Sequence, residues 1–152
     1  MKTLIKGLLG FIGAAVVSAV VVRMRTTEYG GPHDPRFSLA VAIGGRDYVN
    51  VSNGLTSGRA VAYLGGIAID LTQARPAPGA RISLTAVCGG IDVVVPEDWR
   101  VEVLSSATMG EVVNATDPDD PTDGPLVLVD ARAVMGGVSI RTPRPDGTED
   151  GR

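Results

Sequence analysis

Apolar and polar residues alternate along the middle of the chain. From Phe37 to Ile43, every second residue is a large aliphatic or aromatic one and the residues between are Ser or Ala. The segment from Ile82 to Cys88 continues the same alternation. A period of two is typical of a β-strand that buries one face. We therefore expect an all-β domain in which Phe37, Leu39, Val41 and Ile43 share an inward face.

The alternating segments belong to an internal repeat of about 21 residues. Each unit ends its alternation on an apolar residue followed by glycine, and a second glycine follows except in the fourth unit, which has Glu111. The intervals are 21, 24, 21 and 26 residues, and both longer ones contain turn-forming segments. The apolar residue and the glycine are Ile43-Gly44, Leu64-Gly65, Cys88-Gly89, Met109-Gly110 and Met135-Gly136.

This repeat predicts a single-stranded β-solenoid of about five coils over residues 36–142, because one unit cannot bury its apolar face alone. Coils would stack about 4.8 Å apart. The glycines would form a corner, where they allow a positive φ or the close approach of another backbone. The five apolar residues before them would point into the core. The alternative fold is an antiparallel sandwich in which the glycine pairs recur by coincidence.

The first 25 residues have a different composition. Leu4 to Val22 is almost wholly apolar, with 16 uncharged residues from Gly7 onward. A bilayer-spanning helix needs about 20 apolar residues, so residues 1–25 are predicted to be a transmembrane anchor helix. Two alternatives are a signal peptide cleaved near Val17-Ser18-Ala19 and a buried helix of a soluble protein.

Charges flank the predicted anchor almost evenly, with Lys2 and Lys6 before it and Arg23 and Arg25 after it. We expect a single-pass membrane protein whose N-terminus is inside and whose solenoid is extracytoplasmic. Residues 26–35 are predicted to be a linker in which His33 is a solvated loop residue. Residues 143–152 are polar, contain Pro and Gly, and are predicted to be a disordered tail.

Composition narrows the possible functions. The chain of 152 residues is 44% hydrophobic and 4% aromatic, with a net charge of −3. Nucleic-acid binders normally carry a basic excess, so nucleic acid is not expected as a partner. A single cysteine and a single histidine exclude an intrachain disulfide and a metal site of several imidazoles.

Few residues offer catalytic chemistry, and we predict no catalytic, cofactor-binding or metal-ligating residue. Cys88 is expected to be buried packing rather than a nucleophile, and Ser105-Ser106 has no neighbouring base in sequence. Trp99 follows a turn signal and is expected to pack in the core or a corner, the alternative being an exposed aromatic contact. The acidic segment is expected to be a solvated loop, the alternative being a Ca²⁺ site; its carboxylates are Asp117, Asp119, Asp120 and Asp123.

Three motifs resemble the C-terminal domain of the LiaF family, the cell-wall-active antibiotic response proteins. They are Gly89-Gly90-Ile91, Val95-Pro96-Glu97-Asp98-Trp99-Arg100-Val101 and Ala133-Val134-Met135-Gly136-Gly137-Val138. The resemblance covers roughly residues 60–141 and implies a role in sensing or modulating cell-envelope stress. The chain departs from the family in having at most one membrane helix and in Glu111.

Two functions are consistent with these features. The first is a membrane-anchored, non-enzymatic, LiaF-like bacterial envelope protein that contacts a membrane-protein or envelope partner. The second is a membrane-associated scaffold that assembles end to end, similar in style to the bactofilins. Self-association is expected in the second, because solenoid ends carry unpaired strand edges.

Overall fold

The computed structural model describes residues 28–116 and 124–143, and these residues form eight β-strands and no helix. Every pairing between the named strands is parallel. The predicted β-solenoid is therefore confirmed for this part of the chain, and the antiparallel sandwich is wrong. The strands are β1 (Arg36–Val49), β2 (Leu55–Asp70), β3 (Pro76–Ala86), β4 (Gly90–Val94), β5 (Arg100–Ala107), β6 (Glu111–Ala115), β7 (Leu126–Ala133) and β8 (Gly137–Arg141).

The predicted transmembrane helix, residues 1–25, lies outside the described residues, and so do the acidic segment 117–123 and most of the predicted tail. In the part of the chain that is described, no helix has the length and apolar character needed to cross a membrane.

Each repeat unit forms one rung of the solenoid. Rungs 1 and 2 are the long strands β1 and β2, while rungs 3, 4 and 5 are the pairs β3–β4, β5–β6 and β7–β8. Segments before the glycines stack into one face, and segments after them stack into a second face. Strand register places the repeat units side by side, so that Gly44 pairs with Gly65 and Gly90 pairs with Gly137. Five rungs joined by four connections make about four turns of chain.

The rungs are not stacked in chain order. β3 pairs with β7 rather than with β5, and β4 pairs with β8 rather than with β6. β5 and β6 then pair with β7 and β8. Rung 5 therefore lies between rungs 3 and 4, and the spatial order is 1, 2, 3, 5, 4. A repeat period does not predict this order, because a unit keeps the same register whichever unit it stacks on.

Inward-facing aliphatic side chains fill the space between the two faces. Burial of each large side chain contributes about 1.5–3 kcal/mol, and these residues come from all five rungs, with Val101 contributed by rung 4. Trp99 is also buried, which confirms the prediction that it packs in the core. Fully buried large residues include Phe37, Leu39, Leu55, Ile69, Leu84, Val127 and Ile140.

The prediction that the residue before each glycine points inward is wrong. Ile43 is 65% exposed, Met109 is 68% exposed and Met135 is 50% exposed, while Leu64 and Cys88 are half-buried. The inward alternation ends two positions earlier, at the buried residues Val41, Ala62, Ala86 and Ala133. Because the chain turns at the glycines, a small side chain fits inside the bend and the large one that follows lies on its convex side.

The two ends of the solenoid differ. At rung 1, Tyr29 and Ser38 exchange backbone hydrogen bonds, and the Glu28 carboxylate accepts one from the Ala40 N–H. The described part of the predicted linker is thus held against β1, and His33 lies in its exposed turn as predicted. At rung 4, β5 and β6 each pair with one strand within the described residues.

Candidate functional site

An apolar ridge runs along the outside of the glycine corner and crosses every rung. We call it the corner ridge. Its position follows directly from the bend described above, since the residue before each glycine lies on the convex side of the turn. In spatial order its residues are Ile43, Leu64, Cys88, Met135 and Met109.

The length of the corner ridge suits a macromolecular partner. Five rungs spaced by about 4.8 Å give a ridge roughly 19 Å long. A helix of about 13 residues has the same length. Contiguous apolar residues on a protein surface mark sites of protein or membrane contact more often than scattered ones do. Val134, which is also exposed, widens the ridge at rung 5.

Methionine occupies the ridge in the last two spatial rungs. Met135 and Met109 are neighbours across the β7–β8 and β5–β6 rungs, and both are at least half exposed. Their unbranched thioether side chains adapt to irregular partner surfaces at little conformational cost. This end of the ridge is the more adaptable one.

A shallow groove of about 790 Å³ lies beside the corner ridge on the second face. Its lining includes residues of the second face such as Asp47, Asp92 and Ser139. It also includes the second glycine of four pairs, and these glycines are Gly45, Gly66, Gly90 and Gly137. In rung 4 the same position holds Glu111, which closes the strip at its end. The groove is open and flat, so it can accept an extended chain or a helix edge rather than enclose a small molecule.

Close packing of backbones explains the first glycine of each pair. A Cβ on Gly65 would collide with the carbonyl oxygen of Gly44, and a Cβ on Gly89 would collide with that of Gly65. Gly44 itself has open space around it but a φ of 101°, which favours glycine. The corner therefore needs glycine in every rung, and the corner ridge is held at a fixed position above it.

Charged residues also line the groove, and they are Arg46, Asp47, Asp92 and Glu111. Arg141 donates from Nε and Nη2 to the Asp92 carboxylate at 3.2 and 2.9 Å, and this hydrogen bonding raises the pKa of the guanidinium. On rung 1, Arg46 pairs with Glu28 at 2.9 Å. These ion pairs are partly exposed, so they orient side chains more than they add stability.

The structure does not bring the candidate chemical groups together. Cys88 belongs to the corner ridge, with apolar residues on both sides. Ser105 and Ser106 lie exposed on β5, and Trp99 lies in the core. Among residues 28–116 and 124–143, no group of three or more His, Cys, Asp or Glu side chains is placed to hold a metal ion.

Sequence reasoning missed the corner ridge because Ile, Leu, Cys and Met are equally suited to a core. One signal was present in the repeat. The inward residue two positions before the ridge is small in four of the five units, which indicates a tight bend rather than a widening interior.

In comparisons with protein-family models, with curated proteins and with solved structures, nothing matches the chain. The geometry of the corner ridge and the groove is accordingly the basis for a functional proposal.

Proposed function

We propose that this chain is a membrane-anchored, non-enzymatic protein of the bacterial envelope, with a LiaF-like solenoid that senses or modulates envelope stress through protein–protein contacts. The observation that carries the proposal is the corner ridge, an apolar surface that extends across all five rungs. The corner ridge is therefore suited to binding a partner rather than to acid–base or nucleophilic chemistry.

The proposed partner is a membrane protein that offers an apolar helix or strand to the ridge. The ridge has the length of a short helix, and the flat groove beside it would accommodate the partner's flanking residues. The predicted anchor would join the solenoid at rung 1, where Glu28 and Tyr29 are bound to β1. The tether would therefore keep the ridge close to the membrane surface and to partners embedded there.

A membrane-association assay tests the tether and its side. A C-terminally tagged chain would be followed in the native host by carbonate extraction, apparent mass and protease accessibility in intact cells or spheroplasts. The proposal expects a full-length protein that resists extraction and is cleaved by external protease. A shortened, extractable product would contradict the anchor, and a full-length but protected protein would contradict the extracytoplasmic location.

A bactofilin-like scaffold is the second candidate. Among the residues that the structure describes, β5 and β6 each have one edge without a strand partner, which favours self-association at this end of the solenoid. Continuous end-to-end assembly would also need a free edge at rung 1, where Tyr29 and Glu28 already occupy the edge groups of Ser38 and Ala40. The corner ridge also has no role in such a filament, so the first candidate accounts for more of the surface.

A further inference from the structure

Within residues 28–116 and 124–143, the terminal position of rung 4 leaves one edge of β5 without a strand partner and available for intermolecular pairing. Arg100 and Thr108 donate their N–H groups to Pro125 and Ala133 on the rung 5 side. Because successive residues of a strand direct their backbone groups to opposite sides, the N–H and C=O groups of the odd-numbered residues point away from rung 5. These outward residues are Val101, Val103, Ser105 and Ala107.

Apolar side chains are concentrated at the same end. Leu104 is 67% exposed on β5, although the positions beside it in the other rungs are Ser38, Arg59, Ser83 and Asp130. Val113 and Met109 are also exposed in rung 4. This position is polar in the other four rungs and apolar only in the terminal rung, where a second molecule could cover the apolar side chain.

We propose that this end is a self-complementary interface, at which β5 pairs antiparallel with β5 of a second copy to form a closed, two-fold dimer. A second copy offers its own rung 4 edge more readily than its rung 1 edge, where Tyr29 and Glu28 already bind backbone groups of Ser38 and Ala40. Two identical surfaces that bind each other close the assembly at two chains.

In the antiparallel β5–β5 pairing, the outward backbone groups of the two copies meet when the two-fold axis passes through Leu104. Val103 then faces Ser105 of the second copy, and Val101 faces its Ala107, in hydrogen-bonded pairs. Leu104 meets its own counterpart in a pair without backbone hydrogen bonds, where side chains approach most closely. The exposed Leu104 side chains would thus be buried against each other.

Charges are compatible with this register. Arg100 would face Thr108 and Glu102 would face Ser106, so no like charges oppose each other across the interface. Arg132 pairs with Ser106 in the β5–β7 register and lies on the same face. Glu102 of one copy would therefore stand two strand spacings, about 9.6 Å, from Arg132 of the other, within reach of two long side chains.

The proposed dimer does not depend on a partner bound at the corner ridge. A closed dimer also differs from the scaffold alternative, because both of its outer ends are rung 1 ends, where Tyr29 and Glu28 bind Ser38 and Ala40. The resulting assembly has two corner ridges, one on each chain.

Cysteine cross-linking of the full-length chain in detergent micelles tests the register. In a Cys88→Ser background, Leu104→Cys would place two sulfurs at a non-hydrogen-bonded antiparallel pair, whose Cα atoms lie about 4.5 Å apart and within disulfide reach. Arg59→Cys in the same background is the matched control, because Arg59 lies in the same column and is exposed, but in rung 2.

The expected result is a disulfide-linked dimer for Leu104→Cys and a monomer for Arg59→Cys under the same oxidation. In sedimentation of the chain with its cysteine intact, the wild type is expected at twice the monomer mass. Leu104→Lys is expected to weaken that dimer about tenfold or more, while Arg59→Lys leaves it unchanged.

Several outcomes would overturn the inference. They are a wild type that is monomeric at every concentration, an open series of larger oligomers, a dimer insensitive to Leu104→Lys, and equal cross-linking at both positions. Dimerisation that occurs only after removal of residues 144–152 would show that the chain's own tail occupies this end, and would also overturn it.

Discussion

Gly136 lies directly against Gly89, although Gly110 stands between them in the sequence. A Cβ on Gly136 would collide with the carbonyl oxygen of Gly89, and a Cβ on Gly110 would collide with that of Gly136. The glycine column thus passes from rung 3 to rung 5 and only then to rung 4. This contact places rung 4 at the end of the described solenoid, where Leu104, Met109 and Val113 are exposed.

Substitution of Gly136 tests this backbone contact. Gly136→Ala is expected to destabilise the fold by about 3 kcal/mol, because the collision is with backbone that has rungs on both sides and cannot move freely. Gly54→Ala is the matched control, since no atom lies near its added methyl group, and it is expected within about 1 kcal/mol of the wild type. Chemical unfolding followed by far-UV circular dichroism would measure both, and equal effects would contradict the stacking of Gly136 on Gly89.

Asn50 is a second structural determinant, because it ties the N-terminal segment to rung 1. Its fully buried side chain donates to the Asp34 carbonyl and the Tyr48 hydroxyl, each at 3.1 Å, and accepts from the Ser52 N–H at 3.0 Å. Asn50→Ala leaves buried partners unsatisfied and is expected to cost about 2–3 kcal/mol.

Asn53→Ala is the control for Asn50, since Asn53 is exposed in the turn that follows, and a change within about 0.5 kcal/mol is expected. Thermal unfolding of the two variants in parallel would compare them. A similar melting temperature for both would show that the hydrogen bonds of Asn50 do not hold this segment.

Tyr48 gives the fold a defined alkaline pH dependence. Burial raises the pKa of its phenol above the usual value, and this effect exceeds the opposing hydrogen bond with Asn50. An unfolded tyrosine ionises near pH 10, so the unfolded state releases its proton first. The contribution of Tyr48 to stability is therefore complete below about pH 10 and is lost as the pH rises towards the folded pKa.

Tyr48→Phe removes the titrating group, so the free energy of unfolding should fall less steeply with pH above about pH 10. The substitution also removes hydrogen bonds to Gly31 and Asn50. The free energy of unfolding would be measured from pH 8 to pH 11 for both chains. If the two profiles ran parallel above pH 10, Tyr48 would not be the group responsible.

Much of the fold could be predicted from the sequence, because equivalent residues of the repeat units are also the residues that pair between strands. The recurrence of glycine at residues 44, 65, 89, 110 and 136 defines which residues share a column, and the pairing of Gly44 with Gly65 follows from it. The alternation of Phe37, Leu39 and Val41 likewise identifies core residues correctly. Both predictions depend on local periodicity, which every unit expresses separately.

The candidate surface was harder to predict, because it depends on the path of the chain through the corner. Alternation extended by one more step places Met135 and Ile43 in the core, whereas the bend at the glycines turns them outward. The exchange of rungs 4 and 5 involves contacts between units whose columns are equivalent, so the repeat pattern alone does not distinguish the two orders. The position of Leu104 in the terminal rung depends on that exchange.

The corner ridge is expected to bind its partner through its apolar side chains rather than to support the fold. Met135→Lys is therefore expected to change the stability of the chain by less than about 1 kcal/mol, because this side chain is half exposed. The same substitution is expected to abolish partner binding, since a charge would have to be desolvated at the centre of the contact. Arg132→Lys, an exposed change three residues away, is the control and should leave both unchanged.

Site-specific photocross-linking in living cells is the sharpest test of whether the corner ridge binds a partner. A photoreactive residue would be introduced at Ile43 or Met135 on the corner ridge, and at Arg59 or Arg81 on the first face as exposed controls. Both ridge positions are expected to form the same adduct with an integral membrane protein, and the control positions are not. The adduct at Ile43 is expected to disappear in Met135→Lys. Adducts of equal yield from the ridge and the controls, or none from the ridge, would contradict partner binding at the corner ridge.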